Sequence, residues 1–265
     1  MPEFTRSEPV TLSLHMHRGH AEVRAEETST MTVTVTAEDG SDATGRVHIE
    51  LDGDVLIVHA PDRGGPGWRR GPRVDVLVRV PAGSAVAAKS SSADVLLRGC
   101  YAAVRVDASS ANIGLEEATG DVHLTTSSGN LDVGRVGGSL GAGSGSGKVH
   151  IGDVTGDVIA RSSSGNVTVG SAATSIRAGS SSGDIEIGAL RAGRAHLRTS
   201  SGNVTVGVVA GTSVWLDLTT SSGRTSSDLP MTDAPAGGAA TLELRATSAS
   251  GDISVHRAAA LPAAA

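Results

Sequence analysis

A short phrase, Ser-Ser-x-Gly-Asn/Asp-Val-x-Val, returns about every eighteen residues through the middle of the chain, and a period of this kind dictates a stacked architecture. The small residues of successive phrases, Ala93, Ala111, Gly129, Gly147, Gly165 and Gly183, are eighteen apart, and Gly202, Gly223 and Gly251 follow at looser spacing. Each repeat divides again. The pairs Val95/Leu97, Val104/Val106, Ile113/Leu115, Val122/Leu124 and Leu131/Val133 recur every nine residues, so one repeat holds two short strands. Within a strand apolar residues alternate with variable ones, as in Val167-Thr168-Val169 and Ile185-Glu186-Ile187. That period of two marks a strand with one face in a core and the other in water.

These columns predict an all-β fold, a single-stranded parallel β-helix (β-solenoid) with about 18 residues per coil and two short strands per coil. Strands of neighbouring coils pair in parallel, about 4.8 Å apart. Each coil buries about four aliphatic side chains at roughly 1.5–3 kcal/mol for each larger one, so stability accumulates with the stack and one isolated coil does not fold. The 265 residues include one Phe, one Tyr and two Trp. The expectation is an interior of two aliphatic layers with no room for rings.

A tight corner needs positive φ or a side chain that bonds its own backbone, which Gly, Asn, Asp and Ser supply. The corners are therefore expected to carry a structural ladder of Ser92, Ser110, Ser128, Ser146, Ser164, Ser182, Ser201 and Ser222, with Gly129, Gly147, Gly165, Gly183 and Gly202 at the turns. Asp94, Asn112, Asn130, Asn166, Asp184 and Asn203 follow the small residue and can bond neighbouring backbone in the same way, whereas Lys148 departs from that column.

Outside the regular part, residues 1–72 read as an irregular β segment, either opening coils or a cap. Residues 73–257 read as the solenoid, with a loop insertion at 226–240, and residues 258–265 as a flexible tail. A turn-rich stretch, Pro61 to Pro72, separates the first strands from Val74/Val76/Val78/Val80.

The repeated Ser-Ser-Gly-Asn/Asp-Val phrase, the Gly19-His20-Ala21-Glu22-Val23 strand, the Val80-Pro81-Ala82-Gly83 step and the late Ser221-Ser222-Gly223-Arg224 phrase together resemble the bacterial putative-adhesin β-strand-repeat family, a domain of unknown function. The resemblance spans about residues 8 to 257. It implies the fold and no catalytic residues.

The chemistry-bearing motifs weigh toward structure. Gly143-Ser144-Gly145-Ser146-Gly147-Lys148 lacks the Gly needed where Ala142 stands and the Ser or Thr needed where Val149 stands for a phosphate-binding loop. Calcium-binding β-rolls share the nine-residue half-repeat, but Asn at 112, 130, 166 and 203 removes the carboxylates that a calcium ladder needs. His15, His17 and His20 are a zinc set short of a fourth ligand, and Cys100 stands alone. No cofactor is implied. The net charge of −6 with no basic run argues against nucleic acid, and the absence of an apolar leader or a long apolar run leads to an expectation of a cytoplasmic chain without a membrane span.

The sequence therefore reads as a non-enzymatic structural or interaction scaffold that docks a protein partner or self-associates through its faces and ends. The rival is a carbohydrate-binding or polysaccharide-active β-helix protein using a sheet face, with Asp132, His150 and Glu186 as its speculative site and Asp132 beside His150 as the best acid–base pair. Arg105, His123, Arg177 and His196 give the other face a mildly basic cast that an acidic partner would match.

Overall fold

The computed structural model describes residues 2–60, 73–229 and 241–258. The turn-rich stretch at 61–72, residues 230–240 of the expected insertion and the tail from residue 259 lie outside the described residues. The chain forms two compact units, Met1–Arg135 and Val136–Ala265. Both are β-solenoids, and among the described residues the one helical turn is the 3-10 segment Thr44–Arg46.

The first unit begins with β1 (Glu3–Thr5), β2 (Thr11–Glu26), β3 (Thr30–Ala37), β4 (His48–Asp52), β5 (Val55–His59) and β6 (Val74–Pro81). It continues with β7 (Ala85–Tyr101), β8 (Ala103–Ala108), β9 (Ile113–Ala118), β10 (Val122–Thr126) and β11 (Leu131–Val136). β2 is not the outermost coil. Its first half lies between β5 and β7 and its second half between β6 and β7, all in parallel. β7 then passes its two halves to β8 and β9, and β8 pairs β10. Antiparallel strands finish the unit beyond β5 and β6: β4 on β5, β3 on β6, and β1 on β3. These short additions cover the parallel edge that a bare solenoid would expose.

The second unit contains one series of strands, β12 (Leu140–Ser144), β14 (Val158–Ser162), β16 (Ile176–Gly179) and β18 (Gly193–Thr199), alternating along the chain with β13 (Val149–Val154), β15 (Val167–Ala172), β17 (Ile185–Leu190) and β19 (Val204–Val208). The chain then makes β20 (Ser213–Ser222), β21 (Thr225–Ser227), β22 (Thr241–Ser250) and β23 (Ile253–Arg257). Pairing is parallel at an eighteen-residue offset, as in Val149 with Val167 and Val167 with Ile185. The last strands leave chain order. β22 pairs with both β18 and β20, and β23 with both β19 and β21, so the final coil in sequence sits inside the penultimate one.

Inward rows follow the alternation read from sequence: Val149, Ile151, Val167, Val169, Ile185, Ile187, Val204 and Val206 are buried on one side, Val158, Ala160, Ile176, Ala178, Ala195 and Leu197 on the other. The expectation of a core without rings is corrected by Tyr101, which is fully buried. It lies past a bulge that interrupts the pairing of β7 with β9 between Leu97 and Cys100, outside the regular aliphatic layers. Its hydroxyl shares one proton between the carbonyls of Val23 at 2.8 Å and Arg98 at 3.0 Å, so it is not left without a partner.

Candidate interaction surface

The corner chemistry runs two residues ahead of the expected serine column. Ser146, Ser164, Ser182, Ser201 and Ser222 of the second unit and Ser92, Ser110 and Ser128 of the first are exposed, and where they bond between coils they use backbone N–H, as Ser182 does to the Ser163 carbonyl at 3.1 Å. The hydroxyls buried at the corners are Ser90 and Thr126 in the first unit and Ser144, Ser162, Ser180, Thr199 and Ser248 in the second. Each stands three residues before a corner glycine or its counterpart. Ser162 Oγ accepts the Gly165 N–H at 2.9 Å and donates to the Gly147 carbonyl at 3.0 Å; Ser180 does the same for Gly183 and Gly165. The sequence signal was Ser/Thr-x-x-Gly, repeated with the period.

The corner glycines are there for space. Gly165 and Gly183 do not have positive φ, contrary to the expected reason for them. A Cβ on Gly183 would stand 2.2 Å from the Gly165 carbonyl oxygen, and one on Gly165 would stand 2.0 Å from that of Gly147, so the coils approach too closely for any side chain. The Asn/Asp column behaves as expected. In the first unit Asp94 Oδ1 accepts the Asn112 N–H at 2.8 Å and Asn112 Oδ1 accepts that of Asn130 at 2.9 Å. In the second, carboxamide and carboxylate oxygens link Asn166 to Asp184, Asn203, Asp252 and finally Arg224 at 2.8–3.1 Å.

Of the speculative acid–base set, the two members in the second unit, His150 and Glu186, stand apart. Asp132 is exposed on β11 of the first unit, while His150 and Glu186 are exposed on β13 and β17 of the second. Thr168 of β15 pairs with both of the latter residues, so two strand spacings, about 9.6 Å, separate them. Among the described residues no group of three or more His, Cys, Asp or Glu side chains is placed to hold a metal ion. His15 and His17 share a face of β2 with ring centroids 5.0 Å apart, and His59 packs edge-on to His15 at 5.7 Å. Burial and the neighbouring His15 and His48 lower the pKa of His59. Cys100 is pushed upward, first by burial and then by Glu117, which disfavours its thiolate.

Two surface features of the second unit stand apart from this structural chemistry. On the outer face of β14, β16, β18 and β22, pairing lines up Ile159, Arg177, His196 and Arg245, with Asp217 of β20 next. The adjoining row holds Arg161, Gly179, Arg198 and Thr247, and a groove of about 320 Å³ lies over the Arg177 row and the row on its other side, which holds Asp157, Ser175, Arg194 and Glu243. Arg245 is paired with Asp217 at 2.7 Å and Arg194 with Glu243 at 3.4 Å, whereas Arg161, Arg177 and Arg198 make no ion pair among the described residues. Of these, the sequence singles out Arg177 and His196; Arg161 and Arg198 lie on the same repeating strands, and Arg245 and Thr247 join them because β22 follows β18.

The second feature is an edge. Among the described residues β20 takes β22 as its one ladder partner, and its inward row, Val214, Leu216 and Leu218, is half-buried where the paired Leu242, Leu244 and Ala246 are fully buried.

Among solved structures, a protein named a putative adhesin from Bacteroides fragilis superposes with a TM-score of 0.50 at 12% identity, covering 96% of this chain and 95% of that one. A putative lipid binding protein and a putative adhesin, both from Parabacteroides distasonis, are more distant, with TM-scores of 0.43 and 0.42 at 12% and 14% identity. These cover 97% and 96% of this chain and 96% and 95% of their own. The first of these likenesses concerns the fold alone. No curated protein matches the chain. The family model described as Toastrack DUF4097 matches residues 11–260, and the chain belongs to that family.

Proposed function

We propose that the protein is a non-enzymatic interaction scaffold that pairs with a second copy of itself through the edge of β20. The observation that carries the reading is the ten-residue strand with one ladder partner and a half-buried apolar row. An edge of this length offers unpaired backbone donors and acceptors, and a second β20 supplies the same length and the same apolar row. The finishing strands of the first unit, β1 and β4, have three and five residues, and β4 carries Glu50 and Asp52. Short, charged strands resist edge pairing. One receptive edge among the described residues favours a closed, isologous pair over a growing fibre.

Light scattering across a wide concentration range tests this. The expected result is a monomer–dimer equilibrium that Leu218→Lys shifts to monomer while the circular dichroism spectrum and melting profile are retained. A monomer at every concentration, or rods that lengthen with concentration, would overturn it. No helix among the described residues is long and apolar enough to cross a membrane.

A further inference from the structure

We infer that the arginine face of the second unit is a binding site for an anionic glycan, a chain of sugars bearing spaced carboxylate or sulfate groups. The site is on the strand series opposite to His150 and Glu186 and is independent of the β20 edge reading. Three guanidiniums, Arg161, Arg177 and Arg198, have no carboxylate partner among the described residues, on a chain whose overall charge is −6. A surface that served solubility alone would not gather uncompensated cations in an acidic protein. Guanidinium presents a planar fork that matches carboxylate or sulfate oxygens in pairs, which a point charge does not.

The surroundings select the ligand class. Arg161 and Arg198 flank Gly179 in one row, two strand spacings or about 9.6 Å apart at the backbone. A Cβ on Gly179 would meet nothing closer than 3.7 Å, so the backbone does not demand glycine there, and its bareness leaves a floor between the two cations. Across the row of Arg177 and His196 from Arg161 and Arg198, the groove is lined by Asp157 and Glu243, which accept hydrogen bonds from hydroxyls and repel phosphates. A nucleic acid strand, charged at every nucleotide, would bring phosphates against both carboxylates. A glycan with separated anionic groups sets its charges on the arginines and its hydroxyls on the acids.

Apolar surface at two sides of the groove completes the match. Ile159 is 41% exposed on one side, and Trp215, 52% exposed, is in register with Glu243 on the other. Exposed rings of this kind pack on the C–H faces of sugars while the polar groups fix orientation.

Isothermal titration calorimetry of the full chain against four probes of matched length tests the assignment: a hyaluronan fragment, with a carboxylate on every second sugar, a κ-carrageenan fragment, with a sulfate on every second sugar, a neutral malto-oligosaccharide and oligo-dT. The expected result is binding of the hyaluronan fragment, the carrageenan fragment or both, weakened by salt, with the neutral and nucleic acid probes much weaker. Which of the two anionic probes is tighter distinguishes carboxylate from sulfate. Combined Arg161→Ser, Arg177→Ser and Arg198→Ser should weaken that binding on the order of tenfold to a hundredfold with an unchanged melting curve. The inference is overturned if no anionic glycan binds, if oligo-dT binds as tightly, or if the triple variant binds like the parent. Thr168→Arg provides a second check should the triple variant melt early: it adds a cation on the opposite strand series and should leave affinity unchanged, and a gain from it would reduce the effect to net charge.

Discussion

Ser162→Ala is the substitution that tests the corner most directly. The side chain is 7% exposed, and its hydroxyl closes two bonds, accepting the Gly165 N–H at 2.9 Å and donating to the Gly147 carbonyl at 3.0 Å. Alanine leaves that N–H buried without its partner, at a cost of about 1–3 kcal/mol, and the carbonyl loses a donor as well. A loss of ~2 kcal/mol lowers Tm by roughly 4–8 °C in a protein of this size. Ser164→Ala is the control. Its side chain is exposed, and the contact it makes between coils is its backbone N–H on the Gly145 carbonyl at 3.2 Å, which alanine keeps. The expected change there is within about 0.5 kcal/mol. Urea titrations of the parent and the two variants, with thermal melts in parallel, give the comparison. Equal losses for the two, or a neutral Ser162→Ala, would refute the assignment of corner stability to the buried hydroxyl.

Gly183→Ala should destabilise by about 1–3 kcal/mol in the same melts, because the added Cβ meets the Gly165 carbonyl at 2.2 Å. At an unstrained, roomy position the same change would stabilise, so the sign alone decides. Ala108 occupies the column of Ser90 and Thr126, and Ala108→Ser should restore a corner hydroxyl and raise the urea midpoint by the equivalent of up to about 1 kcal/mol. Glu22 is held below its ordinary value of 4.5 by a hydrogen bond from Arg24, opposed by burial and reinforced by the charges of Arg24 and Arg98. A depressed carboxylate adds stability above the unfolded pKa that is lost as pH falls through the folded one. Glu22→Gln should therefore cost under about 1 kcal/mol at neutral pH and nothing once both states are protonated, read by melts from pH 7 to pH 2.

The repeat made most of this molecule legible. Alternation placed the aliphatic columns on the correct face, and the Asn/Asp column proved to be the hydrogen-bonded rail its spacing implied. The corner serine was misread by two residues because every phrase carries several hydroxyls, and sequence does not show which one turns inward. Tyr101 escaped the thin-core argument because it sits beyond a bulge, and a bulge is set by the pairing of two strands. The arginine face was half visible. Arg177 and His196 follow the repeat at a step of nineteen residues, whereas Arg245 reaches them only through the pairing of β22 with β18, in which His196 faces a residue 49 positions later in the chain.

Coil order is the hardest thing to read in such a chain, since each coil presents the same aliphatic rows and any could stack on any other. The polar rail offers the one chemical clue. Each Asn or Asp in it receives the backbone N–H of the next coil, so a residue whose side chain has no acceptor can end a run but cannot pass it on. At the late end of the second unit the links go from Asn203 to Asp252 and from Asp252 to Arg224. Arg224 donates its N–H and offers no oxygen in return, which suits the outermost position it holds although it precedes Asp252 in the chain. The same inversion in the first unit, with β2 between β7 and the later β5 and β6, puts a strand near each chain terminus between two partners. A strand paired on both sides cannot fray from an edge, whereas β20 is held along one side only among the described residues. Hydrogen exchange should accordingly protect the backbone amides of Leu242, Leu244 and Ala246 more than those of Val214, Leu216 and Leu218. Equal protection in the monomer would mean that the outer coil is as firmly held as the inner one, and the case for a receptive edge would fall with it.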